Sequence, residues 1–178
     1  MSISILVVDD IRPIAEGFGG KFRRFSKDHF NVMANIEILG TSDEAVRRIS
    51  DESKPKFDLL FTDIDLSGGS DPDKNGVAFA RFAKSMMPDV PVIGCSGRFD
   101  QDDLSEDDRA LFDKWWSKNR LGEKLEEISK DTLERAIFYH QSRHVQIAGV
   151  ESDAKIPHAK GGLALVTPMT NEEFESEG

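Results

Sequence analysis

The chain has 178 residues, 33 of them acidic and 23 basic, for a formal net charge of -10, with 38% hydrophobic and 31% charged residues. That length suits one domain and a remainder, and the hydrophobic share can bury a core in a soluble protein. The excess acid argues against autonomous binding to nucleic-acid phosphates or an anionic membrane; residues 1–140 carry 27 acids and 20 bases, residues 141–178 carry 6 and 3, so no basic subdomain hides behind the average. The single cysteine, Cys95, rules out an internal disulfide framework and a multi-cysteine zinc site. Met1–Asp10 lacks the basic start and long apolar stretch of a signal peptide, and no apolar run approaches a membrane span. The expected location is cytoplasmic.

In chain order, Ile3–Val8 is a short apolar run of strand length that delivers Asp9 and Asp10. Pro13 suits the first turn of a helix reaching Phe25, although Gly17, Gly19 and Gly20 weaken it. Val32–Leu39 reads as a second strand, and Thr41 or Ser42 caps a helix carrying Ala45, Val46 and Ile49. Phe57–Thr62, apolar on both faces, delivers Asp63 and then Asp65 at the start of a long loop, Ile64 to Asn75. A helix over Gly76–Met87 presents Val77, Phe79, Ala80, Phe82 and Ala83 and stops at Pro88. Val90–Cys95 delivers Ser96 and Gly97. Ser105 with Asp108 is similar to a capping box for a short helix carrying Ala110, Leu111 and Phe112. Lys114–Ser117 is a weaker strand followed by Lys118, and Leu121–Tyr139 has helical spacing.

Five strand–helix repeats define an α/β domain: a doubly wound, parallel, five-stranded sheet in (βα)5 order with helices on both faces. It covers residues 1–140. Residues 141–178 form a C-terminal extension, flexible or packed on that domain, with apolar patches at Val145–Val150 and Leu163–Val166 and a capping pair at Thr170 and Glu173.

In such a sheet ligands sit beyond the carboxyl ends of the strands. What the strands deliver there is Asp9 and Asp10, Asp63 and Asp65, Ser96 before a glycine, and Lys118. Three carboxylates converging on one crevice repel one another unless a cation lies among them, and hard oxygen ligands suit Mg2+. A hydroxyl and an ammonium facing a metal-bound carboxylate can hold a phosphoryl group while the carboxylate attacks phosphorus. Singly, each residue is an ordinary turn or cap residue. The ordered set is what points to chemistry.

The runs Ile5–Asp10, Asp58–Asp63 and Val92–Gly97, followed by Lys118, resemble the receiver domain of two-component response regulators, which has the flavodoxin-like architecture. The resemblance covers roughly residues 1–140. It implies that Asp63 is the phosphoacceptor, Asp10 a direct Mg2+ ligand, Asp9 an acid acting through water, and the backbone carbonyl of Asp65 a further ligand. Ser96 then matches the switch hydroxyl, Lys118 the phosphate-binding lysine, and Trp115 an aromatic switch. It also implies a histidine kinase or phosphotransfer protein as donor and a downstream protein effector. Two features depart from that family: Asn119 stands where proline usually follows the lysine, and the loop after Asp63 is long. Lys114 is the weaker candidate for the lysine.

A haloacid-dehalogenase-like phosphohydrolase is the alternative from another class, because Asp63-Ile64-Asp65-Leu66-Ser67 has that superfamily's nucleophile pattern. Its late metal-binding acids would have to come from the Asp102-Asp103 or Asp107-Asp108 pairs. A pseudo-receiver that binds without being phosphorylated is the third reading. Asp71–Gly76 matches half of a calcium loop but lacks the bidentate glutamate, with Phe82 at its place. His140 and His144 are read as solvent-exposed, Cys95 as a buried small side chain, and the Asp100–Asp108 acids as a solvated helix start.

Overall fold

In a computed structural model the described residues are 1–66, 75–98 and 100–147. The strands are β1 (Ser2–Val8), β2 (Met33–Leu39), β3 (Leu59–Asp63), β4 (Val92–Ser96) and β5 (Lys114–Ser117). The helices are α1 (Arg12–Phe30), α2 (Ser42–Ser50), α3 (Asn75–Met86), α4 (Glu106–Arg109) and α5 (Leu121–Ile147). All strand pairs are parallel, in the order β2-β1-β3-β4-β5. Among the described residues no helix is long and apolar enough to cross a membrane.

Alternation along the strands builds two cores, one per face. Ile3, Ile5, Val7, Leu59, Phe61, Ile93 and Trp116 pack against α1 and α5. Leu6, Val8, Leu60 and Val92 pack toward α2 and α3, with Ala45, Ile49, Phe79 and Ala80 opposite. Every residue of β3 and β4 is buried, as strands covered on both faces must be. Trp115 and Trp116 fall on opposite sides of the sheet, as the period of two requires.

α1 runs unbroken through Gly17, Gly19 and Gly20 and past the expected Phe25 to Phe30. Gly19 lies where an added Cβ would sit 3.1 Å from the Ile36 side chain, so its smallness lets α1 approach β2. The helix ends at Asn31, whose φ of 50° closes it with a left-handed turn and whose N–H bonds to Lys27 O. Thr41 caps α2 by accepting the Glu44 N–H at 3.2 Å. Ser105 accepts the Asp108 N–H, but the helix it opens is a single turn ending at Arg109, and Ala110, Leu111 and Phe112 all follow outside it.

At the base of the sheet the expectation for His140 is overturned. Instead of fraying after Tyr139, α5 continues to Ile147 across residue 140, and its inner side reaches the start of β3. His140 is 17% exposed, with Nδ1 3.1 Å from Oδ1 of the buried Asp58. Arg143 reaches the same oxygen at 2.9 Å and lies over the Tyr139 ring. These are ion-pair distances rather than aligned hydrogen bonds. The other Asp58 oxygen accepts the Ser4 N–H at 2.8 Å. His144 is exposed as expected. The apolar patch Leu163–Val166, the Thr170–Glu173 pair and residues 71–74 of the calcium-like loop lie outside the described residues.

Candidate functional site

The strand order reverses beside β1, which sends its chain outward to β2 while β3 lies on its other side, and a crevice opens at the carboxyl ends of that pair. Val8 is level with Thr62, so the next residues are Asp9 and Asp63. Asp9, Asp10 and Asp63 each bring a carboxylate oxygen within 4.8 Å of the others. Asp9 and Asp63 are buried, and Asp10 is half-buried. Oδ1 of Asp9 accepts the Ile11 N–H at 2.9 Å, which fixes the carboxylate at the turn into α1. Oδ1 of Asp63 accepts the Asp65 N–H at 3.3 Å.

Lys118, the residue after β5, extends its ammonium into this group, 2.6 Å from Asp63 Oδ2 and 2.8 Å from Asp9 Oδ2. Burial pushes the Asp63 carboxyl above the usual range; Lys118 opposes that rise and the neighbouring Asp9 adds to it. For Lys118, burial alone would lower the ammonium, but its hydrogen bond to Asp63 and its attraction to both Asp63 and Asp9 hold it above its ordinary value. One ammonium against three carboxylates leaves negative charge within the group. Asp9 Oδ2 is buried and takes no aligned hydrogen bond. An all-oxygen donor set with more carboxylates than one ammonium can balance fits a hard divalent cation such as Mg2+.

The remaining expected residues are distributed around these four. Ser96 is buried at the end of β4, its Oγ accepting the Arg98 N–H at 3.1 Å. Asp65 is half-buried; its carboxylate lies 3.8 Å from Arg98 and is not part of the three-carboxylate group. Trp115 is half-buried against Phe112, edge to face at 5.5 Å, and rests on Gly94, whose absent side chain makes the space for the ring. Lys114 stands over the Trp116 ring and Lys118 alone of the two lysines reaches the acids. Asn119 donates to Gly97 O at 2.9 Å and so ties the turn after β5 to the turn after β4.

Two contributors were not read from the sequence. Gly76 donates its N–H to Ile64 O at 3.1 Å, and a Cβ there would lie 2.7 Å from Ile64 Cα and collide with the Asp63 carbonyl. A glycine opening a helix directly after a long loop was the available signal. Arg98, two residues beyond Ser96, had none. The acids needed for a dehalogenase-type site are elsewhere: Asp102 pairs with Arg109, Asp108 with Arg81, and the Asp103 carboxylate accepts the Asp100 N–H.

Neither a scan against protein-family models nor a search of curated proteins returns a match. Solved structures do match. A response regulator receiver domain protein of Clostridium thermocellum aligns with a TM-score of 0.57 at 18% identity, over 76% of this chain and 98% of that one. The receiver domain of NtrX from Brucella abortus aligns at 0.54 and 23% identity, over 73% and 98%. Response regulator TrrA of Thermotoga maritima, solved in complex with Mg2+ and BeF, aligns at 0.56 and 21%, again over 73% and 98%. The chain has the receiver fold of response regulators: a five-stranded, all-parallel, flavodoxin-like sheet between two layers of helices.

Proposed function

We propose that this protein is a phosphoacceptor response regulator in which Asp63 receives a phosphoryl group. The observation that carries the reading is Lys118 Nζ, held between Asp63 and Asp9 at 2.6 and 2.8 Å over a group of three carboxylates. Asp9, Asp10 and Asp63, with the backbone at Asp65, are the residues that would hold Mg2+, which when bound supplies positive charge to the phosphoryl oxygens.

The chain's own residues do the rest. An Asp63 carboxylate oxygen attacks phosphorus, the new P–O bond forming as the P–N bond of a donor phosphohistidine breaks. Lys118 opposes the rise that burial gives the Asp63 carboxyl, and on phosphorylation it would move onto a phosphoryl oxygen. Ser96 supplies a hydroxyl from the end of β4, and Trp115 follows it by turning on the small Gly94. The donor in this reading is a histidine kinase or phosphotransfer protein, and output passes to a protein effector over the α4–β5–α5 side. In this reading the receiver-like domain is residues 1–140 and 141–178 the C-terminal extension, whose first residues, through Ile147, continue α5, and the protein is cytoplasmic.

The test is labelling from a small phosphodonor with Mg2+, read by intact mass. One phosphoryl group on the wild-type chain and none on Asp63→Asn is expected. A wild-type chain that gains no label sinks phosphoacceptor function and leaves a binding module, whereas sustained turnover of phosphate esters would favour a phosphohydrolase.

A further inference from the structure

Far from the carboxylates, at the amino-end of β3, α5 carries two histidines one turn apart. The His140 and His144 rings are 4.4 Å between centroids and inclined by 54°. Phosphoacceptor chemistry uses neither. His140 Nδ1 faces Oδ1 of Asp58 at 3.1 Å, and that carboxylate is only 2% exposed. The pair is not aligned as a hydrogen bond, but the carboxylate occupies the Nδ1 side of the ring, so Nε2 is the nitrogen available to a ligand. No hydrogen-bond partner among the described residues engages His140 Nε2 or the His144 ring. Histidines that ligate metals regularly hydrogen-bond their second nitrogen to a carboxylate, and here Asp58 stands at ion-pair distance from that nitrogen.

We propose that His140 and His144 form a binding site for a borderline-soft divalent metal ion such as Zn2+ or Cu2+, with Asp58 orienting His140. Two imidazoles four residues apart on a helix present two nitrogen ligands to one side, and water completes the coordination. Arg143 does not oppose the ion with a free charge, because its guanidinium lies 2.9 Å from Asp58 and 3.5 Å from Phe57 O. The two ends of the sheet thus sort cations by hardness, oxygen ligands at one end and imidazole nitrogens at the other.

Calorimetric titration of the full chain with Zn2+ in excess Mg2+ tests this. A binding step is expected that survives in Asp63→Asn, is lost in His144→Ala, and weakens by about 10–100-fold in Asp58→Asn. His144 is exposed, so its replacement leaves the fold intact, as circular dichroism would verify. The Cu2+ form should show electron-spin coupling to two imidazole nitrogens. Equal Zn2+ affinity in His144→Ala, a step that disappears in Asp63→Asn, or coupling to one nitrogen only would overturn the proposal.

Discussion

Replacing Lys118 with methionine keeps most of the stem and removes the ammonium from between two buried acids. Its nitrogen lies 2.6 and 2.8 Å from oxygens of Asp63 and Asp9, whose side chains are 4% and 1% exposed. At an effective dielectric of about 20, each contact carries about 6 kcal/mol of attraction. Most of that offsets the desolvation of the three groups. Removing one partner from such a buried set costs about 3–5 kcal/mol. The pH dependence follows from the Asp63 carboxyl, which burial and Asp9 already push up and which Lys118 holds down. Without Lys118 it rises further. A carboxyl raised in the folded state contributes stability that is full below the unfolded value of about 4 and is lost as pH climbs through the folded one. The deficit of Lys118→Met is therefore largest near neutrality and narrows on acidification. Urea unfolding of metal-free wild type and variant across the acid range measures it. A loss below about 1 kcal/mol near neutrality, or a deficit that does not shrink toward acid, would refute the buried-pair account.

Gly94→Ala would place a Cβ 2.8 Å from Trp115 Cε3 and 3.0 Å from Phe112 Cδ1. Overpacking of this kind costs about 1–3 kcal/mol, and Trp115, the half-buried partner, is the group that gives way. In a Trp116→Phe background its emission should shift to the red, and unchanged emission and stability would contradict the packing. Cys95 is fully buried, and burial, the largest influence on it, drives its thiol far above the ordinary range. It should resist a thiol reagent until the protein is unfolded in urea; rapid labelling of the native chain would show that β4 opens.

How much of this was legible in the sequence depends on where each residue sits relative to a strand end. Runs such as Ile3–Val8 disclose themselves by being apolar throughout, and a parallel sheet then dictates that Asp9, Asp63, Ser96 and Lys118 leave on one edge. The site was readable because its members follow strands. Helix ends were less so: α1 passes the expected Phe25 and ends at the left-handed Asn31, and Gly19, which weakened the helix on propensity, is needed against Ile36 and Ile38. The Asp58–His140–Arg143 cluster was missed for a different reason. Helical spacing gives the side of α5 on which His140 lies, but not the rotation of that side toward the sheet, which is set by how Ile128, Leu133 and Ala136 seat in the core. Arg98 beside Asp65 likewise depends on two turns meeting in space.

The hydrogen bond from Gly76 to Ile64 brings together the two positions that bound the stretch after Asp63. The entropy of closing such a loop grows only with the logarithm of its length, by about 0.6 kcal/mol per doubling. On that scaling, a change of length between Asp65 and Asn75 alters the closure entropy only slightly, while the Gly76–Ile64 bond continues to set where the two ends meet. That makes this stretch a place to graft a recognition peptide beside the carboxylate proposed as the phosphoacceptor.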